Sequence, residues 1–328
     1  MRQNLGKLAD GDSVDEIYLA ADKQLRSNRN GQPYIQVELR DRSAGLTARM
    51  WNAGEQIFRS FESGDFVRVK GKVQLYQGAL QMILVALDRA DPGSVEINEF
   101  LPHADADIGK LLDRLRVMLR SLADPHLRAL GECFLMDDEF IRDFAACPAG
   151  VKNHHAYVGG LVEHVVTLLE AADRLAPLYP AVNRDLWLMG IFLHDIGKLR
   201  ELSYRTGFAY TDAGQLIGHL VQGVEILNDK AAAAAKLTGE PFPRELLLRL
   251  QHVIVSHHGT YEFGSPKLPM TPEAVAIAAL DNLDAKINQV AAEIRGDRGG
   301  SSWTQFNPSM QRRFYKGGGQ GSGIVDAD

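Results

Sequence analysis

Two regimes of hydrophobic spacing divide the chain. Between Ser13 and Ala90, apolar residues alternate with polar ones, or cluster with β-rich composition, in short runs near 15–25, 33–40, 45–51, 66–75 and 79–87. That is the spacing of short strands. Turn signals separate several of the runs, among them Asn30-Gly31 and Gln77-Gly78, and Gly54 to Phe61 reads as one helical insert between the third and fourth. From Ile108 to Arg295 the period becomes helical, with segments predicted near 108–122, 126–133, 137–145, 159–176, 184–195, 215–236, 243–258 and 272–295.

The expected organisation is therefore two domains, an all-β barrel followed by an all-α helical bundle. Residues 13–92 form the first and 93–107 a linker begun by Asp91-Pro92-Gly93-Ser94. Residues 108–296 form the second, and 297–328 a Gly/Ser-rich tail. The tail carries one aromatic and basic island, Trp303, Phe306, Arg312, Arg313, Phe314, Tyr315 and Lys316. A disordered tail seldom holds so many aromatics, so the island is expected to dock on the body. Five strands with a helix between the third and fourth is the order of an OB-fold barrel.

Alternation sorts the faces of that barrel. Ile35, Val37 and Leu39 point one way, as do Leu46, Ala48 and Met50, and Val67, Val69 and Val73. Tyr34, Arg49, Trp51, Arg68, Lys70 and Lys72 gather on the opposite face, and Tyr18 is expected to join them. Rings that stack on bases, interleaved with cations that neutralise phosphates, suit single-stranded nucleic acid. The competing reading packs Tyr34 and Trp51 against the second domain and leaves the cations solvated.

Composition narrows the class. The 328 residues are 45% hydrophobic and 24% charged, as in soluble globular proteins. No apolar run is long enough to span a membrane, and MRQNLGKLADGDSVDE has no apolar signal core, so a cytoplasmic location is expected. Cys133 and Cys147 are too few for a disulfide framework and read as buried free thiols. The net charge of −6 does not announce a nucleic-acid binder, although the strand-rich part carries a slight cationic excess.

The chemistry lies in a series spread over the helical part: His164, His194-Asp195, His219, His257-His258 and Asp281. Each falls on or at the end of an apolar helical segment. A single His on such a face is more often a hydrogen-bonded core residue, and His257-His258 before Gly259 could be a helix cap favoured by the dipole. The set is harder to dismiss. Asp195 ends the helix LWLMGIFLHDIGK, where a buried charge is costly without a partner. Gly197 reads as the helix stop and places Lys198 one turn from the site. Imidazole and carboxylate donors together suit one or two divalent ions with open positions, and favour Mn²⁺, Fe²⁺, Co²⁺ or Zn²⁺ over Mg²⁺. Ions so held activate water and offset charge at phosphorus, so metal-assisted hydrolysis is the expected reaction. Lys198 would stabilise the transition state or protonate the leaving oxygen, against a reading in which it is only salt-bridged. His154 and His155 are assigned no role; His103, His126 and His252 are read as structural.

The order His…His-Asp…His…His-His…Asp, with HDIGK at its centre, resembles the two-metal HD phosphohydrolases. HHAYVGGLVEH together with an N-terminal OB-fold resembles the YhaM-type bacterial 3′→5′ exoribonucleases over nearly residues 13 to 295, and SWTQFNPSMQRRFYK resembles that family's C-terminus. The resemblance implies one ion on His164, His194, Asp195 and Asp281. It implies a second on His219, His257 and His258, bridged by Asp195, with Asp284 the alternative to Asp281. It further implies Mn²⁺ or Co²⁺ dependence, with Fe²⁺ or Zn²⁺ as alternatives, and single-stranded RNA, or else DNA, as the partner. Were His219 to face away, one ion would remain. Two rivals stand beside this expectation. One is a hydrolase of free nucleotides or cyclic dinucleotides, which has no use for the barrel face and lacks a GYP signature after His258 (GTYEFGSP). The other is a non-catalytic nucleic-acid binder with a structural metal.

Overall fold

The computed structural model describes residues 3–28, 30–76, 78–95, 99–100, 104, 106–151, 157–204, 208–297 and 299–317. Strands β1 (Ser13–Ser27), β2 (Pro33–Arg40), β3 (Gly45–Trp51), β4 (Phe66–Tyr76) and β5 (Ala79–Arg89) close a barrel in the order β1-β2-β3-β5-β4. Helix α1 (Glu55–Phe58) lies between β3 and β4, as the alternation break predicts. Only the β3–β5 pair is parallel. Closure gives each barrel strand a neighbour on both sides, which limits the edge that could template pairing with another chain. Gly31 and Gly78 take positive φ of 76° and 82° in the turns flagged by sequence; Gln77 lies outside the described residues.

Ile35, Val37, Leu39, Ala48, Val67, Val69 and Val73 fill the barrel, as their alternation requires. Tyr18 joins them, which corrects its expected place on the outer face. Val14, Tyr18 and Ala20 share the inward parity of β1, and Tyr18 is fully buried with its hydroxyl donating to the Gln3 carbonyl at 2.6 Å. The polar tip of a tyrosine reads like a surface residue in a linear pattern, but one backbone acceptor suffices to bury it. Leu5 and Leu8 also enter this core, so the packed unit reaches ahead of Ser13.

Within the stretch expected to be a linker, the described residues Val95, Glu99, Phe100 and Ala104 contact one half or the other. Phe100 is buried against Phe66 at 4.7 Å and packs with Leu19, Val95, Val158 and Phe208 in a small separate core. Ala104 N–H donates to the Val158 carbonyl and Arg42 N–H to that of Glu99.

The helical part comprises α2 (Ile108–Arg120), α3 (Pro125–Leu135), α4 (Asp138–Ala146), α5 (Gly160–Leu175), α6 (Arg184–Leu193), α7 (Lys198–Glu201), α8 (Asp212–Leu216), α9 (Gly218–Thr238), α10 (Arg244–Ser256) and α11 (Pro272–Gly296). A two-stranded hairpin, β6 (Leu202–Ser203) and β7 (Ala209–Tyr210), interrupts them. Asp107, Asp124, Asp137, Asn183, Thr211 and Thr271 cap helix N-termini through their side-chain oxygens, so the starts are written in local sequence. In α6 every residue from Leu186 to Leu193 is buried, and α5, α10 and α11 pack around it. A helix apolar on all sides has to be central.

Two glycines act differently from a linear reading. Gly197 is not a stop, for it has helical dihedrals (φ −63°, ψ −20°) and α7 follows at once. A Cβ there would lie 1.9 Å from the His219 carbonyl oxygen. Its role is to let α9 approach. Gly218 (φ +77°) divides the expected helix 215–236 into α8 and α9 and makes His219 part of the first turn of α9.

The tail island folds as a hairpin, with bridges Trp303↔Tyr315 and Asn307↔Arg312. It is tied to the end of α11 by Asn307 donating to Glu293 and by the ion pair of Lys316 with Asp297 at 2.8 Å. Arg312 and Arg313 are solvent-exposed. Cys147 is buried and Cys133 half-buried; both are free. No helix among the described residues is long and apolar enough to cross a membrane.

Candidate metal centre

The seven residues of the sequence series converge. His164 sits in the second turn of α5, and His194-Asp195 occupy the turn between α6 and α7. His219 opens α9, His257-His258 follow α10, and Asp281 lies on α11. Asp195 is at the centre. Its Oδ2 faces His194 Nε2 at 3.4 Å and His164 Nε2 at 4.0 Å; its Oδ1 faces His257 Nε2 at 3.5 Å and His219 Nε2 at 3.6 Å. Asp281 Oδ1 is 3.3 Å from His164 Nε2, and His258 Nε2 is 3.1 Å from His219 Nε2. Three triads place one donor atom each within 4.8 Å of one another: His164/His194/Asp195, His194/His257/Asp281 and His219/His257/His258.

All five rings are held by their far nitrogen. Nδ1 donates to the Ile191 carbonyl from His194, to Ile254 from His257 and to Phe263 from His258, at 2.7 to 2.8 Å. His164 donates to Asp284 at 2.7 Å and His219 to Glu201 at 2.9 Å. In its neutral form each ring therefore turns its Nε2 lone pair to the centre, the arrangement that fixes histidines for metal ligation. His164 and His194 bring such nitrogens to 3.3 Å, a spacing that calls for a cation or proton between them. Asp195 Oδ1 is buried with no hydrogen-bond partner among the described residues, although a carboxylate oxygen is expensive to bury unpaired. A divalent ion satisfies both features, so the donor set fits a metal.

Electrostatics agree. Burial alone would raise the Asp195 carboxyl, but Lys198 and His194 outweigh it and hold it well below the usual range. Asp281 is likewise depressed against burial by His164 and His194. Burial would lower His164, yet Asp281 and Asp284 push it up to about 9. His257, with fewer carboxylates facing it, is driven by burial down to about 4. Among the described residues, Asp195, Asp281, Asp284 and Glu201 outnumber Lys198, a deficit of positive charge that ligated cations would correct.

Lys198 Nζ donates to Asp195 Oδ2 at 2.6 Å and to the Ala149 carbonyl at 2.7 Å. It thus fixes which way the Asp195 carboxylate faces. A cleft of about 470 Å³ opens over Asp195, Lys198, His257, His258 and Asp281. Glu201 was invisible to sequence reasoning, because nothing in LRELS marks it as buried. Asp284 does not replace Asp281 but complements it: their three-residue spacing lets one face the centre and the other the back of His164. His154, His155 and His103 lie outside the described residues. His126 packs on Phe242, and His252 Nε2 accepts from Met270 N–H, both away from the cluster.

On the barrel, Tyr34 and Trp51 lie opposite each other on β2 and β3 with ring centroids 4.8 Å apart, and Trp51 is 43% exposed. Arg26 is the β1 partner of Tyr34, a cation that the alternation had not singled out. Two register rows further, on the same face, Arg49, Ile83 and Lys72 run across β3, β5 and β4. Arg49 is half-buried and donates to Gln81. Arg68 and Lys70 are exposed but both pair with Asp15, at 2.9 and 3.0 Å, which halves the net charge they offer.

Known families are similar to both parts of the chain. The HD domain family matches residues 161–286, and a family described as OB-fold nucleic acid binding domain matches residues 21–86. The chain is 34% identical over 307 residues to the 3′-5′ exoribonuclease YhaM of Bacillus subtilis (strain 168), covering 93% of this chain and 95% of that one. The protein of the same name from Bacillus pumilus (strain SAFR-032) is 33% identical, with the same coverage. Among solved structures, the second OB-fold domain of replication protein A from Methanococcus maripaludis is similar over 29% of this chain and 100% of that one, at 19% identity and a TM-score of 0.24.

Proposed function

The chain belongs to the family of the 3′-5′ exoribonuclease YhaM, and we propose that it is itself a metal-dependent exoribonuclease. Its substrate on this reading is single-stranded RNA shortened from the 3′ end, with single-stranded DNA as the alternative strand. The observation that carries the reading is the division of Asp195, one carboxylate oxygen toward each half of the histidine cluster.

Two divalent ions, Mn²⁺ or Co²⁺, would be held in the pattern that this division supports. His164, His194, Asp195 and Asp281 would take one; Asp195, His219, His257 and His258 would take the other. Bound there, they supply an activated water and positive charge beside the phosphate. The chain's own residues do the rest. Lys198 fixes Asp195 and brings an ammonium to the cleft, where it faces the charge that builds at phosphorus. Nδ1 donation to backbone carbonyls and to Asp284 and Glu201 keeps the five rings from turning during turnover.

The barrel, in this assignment residues 13–92, supplies the strand-binding surface. Tyr34 and Trp51 stack bases, while Arg49, Lys72 and the Asp15-paired Arg68 and Lys70 line the phosphate path. Residues 93–107 join it to the hydrolase, residues 108–296, and the tail 297–328 follows.

Digestion of 5′-labelled and 3′-labelled single-stranded RNA and DNA with Mn²⁺ tests the proposal. A descending ladder from 5′-labelled RNA and early release of the 3′ label are expected, and Asp195→Asn should abolish both while retaining its circular dichroism spectrum. Undiminished degradation by folded Asp195→Asn, or preferential hydrolysis of cyclic dinucleotides, would overturn it.

A further inference from the structure

We propose that Phe263 is a substrate-binding residue of the catalytic cleft, its ring forming the platform on which the 3′-terminal base stacks. The proposal rests on the exoribonuclease reading and specifies how the strand end is held.

Phe263 lines the cleft over the metal ligands, yet it is 65% exposed. The ring adds little to the core. Its backbone, however, is closely fixed. Phe263 N–H donates to the Thr260 carbonyl, Gly264 N–H to Tyr261 at 3.0 Å and Ser265 N–H to Thr260 at 3.2 Å. The buried Ser265 hydroxyl bonds to the Val255 and Lys267 carbonyls, and Gly264 closes the turn at φ +81°. The Phe263 carbonyl in turn accepts from His258 Nδ1 at 2.8 Å. One rigid turn thus orients a metal ligand with its backbone and holds an aromatic ring out beside the cleft.

The same cleft is also lined by the face of α11 bearing Ala278, Asn282 and Ala285, spaced four and three residues apart. Alanines there leave room for a flat ring, and Asn282 offers both a donor and an acceptor to a base edge or ribose. A phenyl ring has no hydrogen-bonding edge, so it accepts any base by its π-face. A nuclease that must remove successive nucleotides needs that tolerance.

The test uses the full-length protein with Mn²⁺ and two 5′-labelled oligoribonucleotides, one ending in an ordinary 3′ nucleotide and one in an abasic residue. The wild-type protein is expected to favour the ordinary end about tenfold in kcat/KM, the effect of one base–aromatic stack. Phe263→Ala should bring that ratio close to one through KM, Phe263→Trp should preserve it, and Phe263→Leu should not. An unchanged ratio in Phe263→Ala overturns the proposal. So does an equal fall in kcat on both ends with reduced metal content, which would mean that the turn only supports His258. If folded, metal-loaded wild-type protein shortens neither RNA, the exoribonuclease reading fails first and this inference falls with it.

Discussion

Glu201 Oε1 accepts two hydrogen bonds from His219, one from the backbone N–H at 3.0 Å and one from Nδ1 at 2.9 Å. The first satisfies an amide that the opening turn of α9 cannot pair internally. The second sets the ring tautomer and turns Nε2 toward Asp195 and His258. A single buried carboxylate therefore fixes both the start of a helix and a candidate ligand. Glu201→Ala is expected to weaken metal binding about 10- to 100-fold while the far-UV spectrum is preserved. Competition against a chromogenic chelator measures this; undiminished affinity would remove Glu201 from the metal centre.

Gly197 and Gly223 let α7 and α9 meet closely. Gly197→Ala would force a methyl into the His219 carbonyl and the Gly223 amide, at 1.9 and 2.7 Å. Overpacking of this kind costs about 1–3 kcal/mol, and backbone cannot yield as a side-chain tip would. The urea midpoint of Gly197→Ala should fall accordingly, whereas Gly239→Ala, with open space at its Cβ, should show only the strain of its positive φ.

Tyr18 and Trp51 separate barrel stability from strand binding. Tyr18→Ala empties a fully buried site and should cost about 3–5 kcal/mol, as large aromatic-to-alanine changes do. Tyr18→Phe, which loses the bond to Gln3 and keeps the ring, should cost about 1 kcal/mol. Trp51→Ala should leave the denaturation midpoint nearly unchanged and weaken single-stranded RNA binding by about 1–3 kcal/mol. A barrel variant that loses both together would not support a dedicated face.

Asp137 links α4 to α9 in a pH-dependent way. Its carboxylate pairs with Lys230 at 2.6 Å and caps α4 through Phe140 N–H, and these hold its pKa below 3.8. Because the folded pKa is the lower one, its stabilisation is complete above the unfolded value and fades as pH falls through the folded one. Asp137→Ala should cost about 1 kcal/mol at neutral pH, chiefly from the lost cap. The gap between the two proteins should narrow below about pH 3.8. Paired denaturation curves across that range give the answer.

Chelation should lower the melting temperature, and added Mn²⁺ should raise it with concentration. An ion at one hundred times its Kd adds about 2.7 kcal/mol per site. Asp195→Asn should blunt the response to both halves of the cluster, whereas His164→Ala should blunt only one. Identical single-site responses in the two variants would argue against a shared carboxylate.

Local patterns carried much of the organisation. Alternation placed all five strands and the inward rows of β2, β3 and β4, because burial on one face of a strand is a period-two property. The helical period placed the helices, and the seven candidate ligands stood out because charged and imidazole groups interrupt segments that are otherwise core. Residues whose role depends on a partner distant in sequence could not be read this way. Tyr18 looked polar until Gln3 supplied an acceptor, Gly197 looked like a stop until α9 lay against it, and Phe100 looked like linker until Phe66 covered it.

The sequence by itself determined the two-part architecture and the identity of the donor atoms, since both depend on residue type and short-range period. Only the tertiary structure decided how the donors share the centre: that Asp195 divides its oxygens, that Asp281 faces inward while Asp284 stands behind His164, and that Glu201 holds His219. Those relations join residues 18 to 120 positions apart. Their geometry follows from the packing of α5, α9 and α11 around α6, which no local pattern encodes.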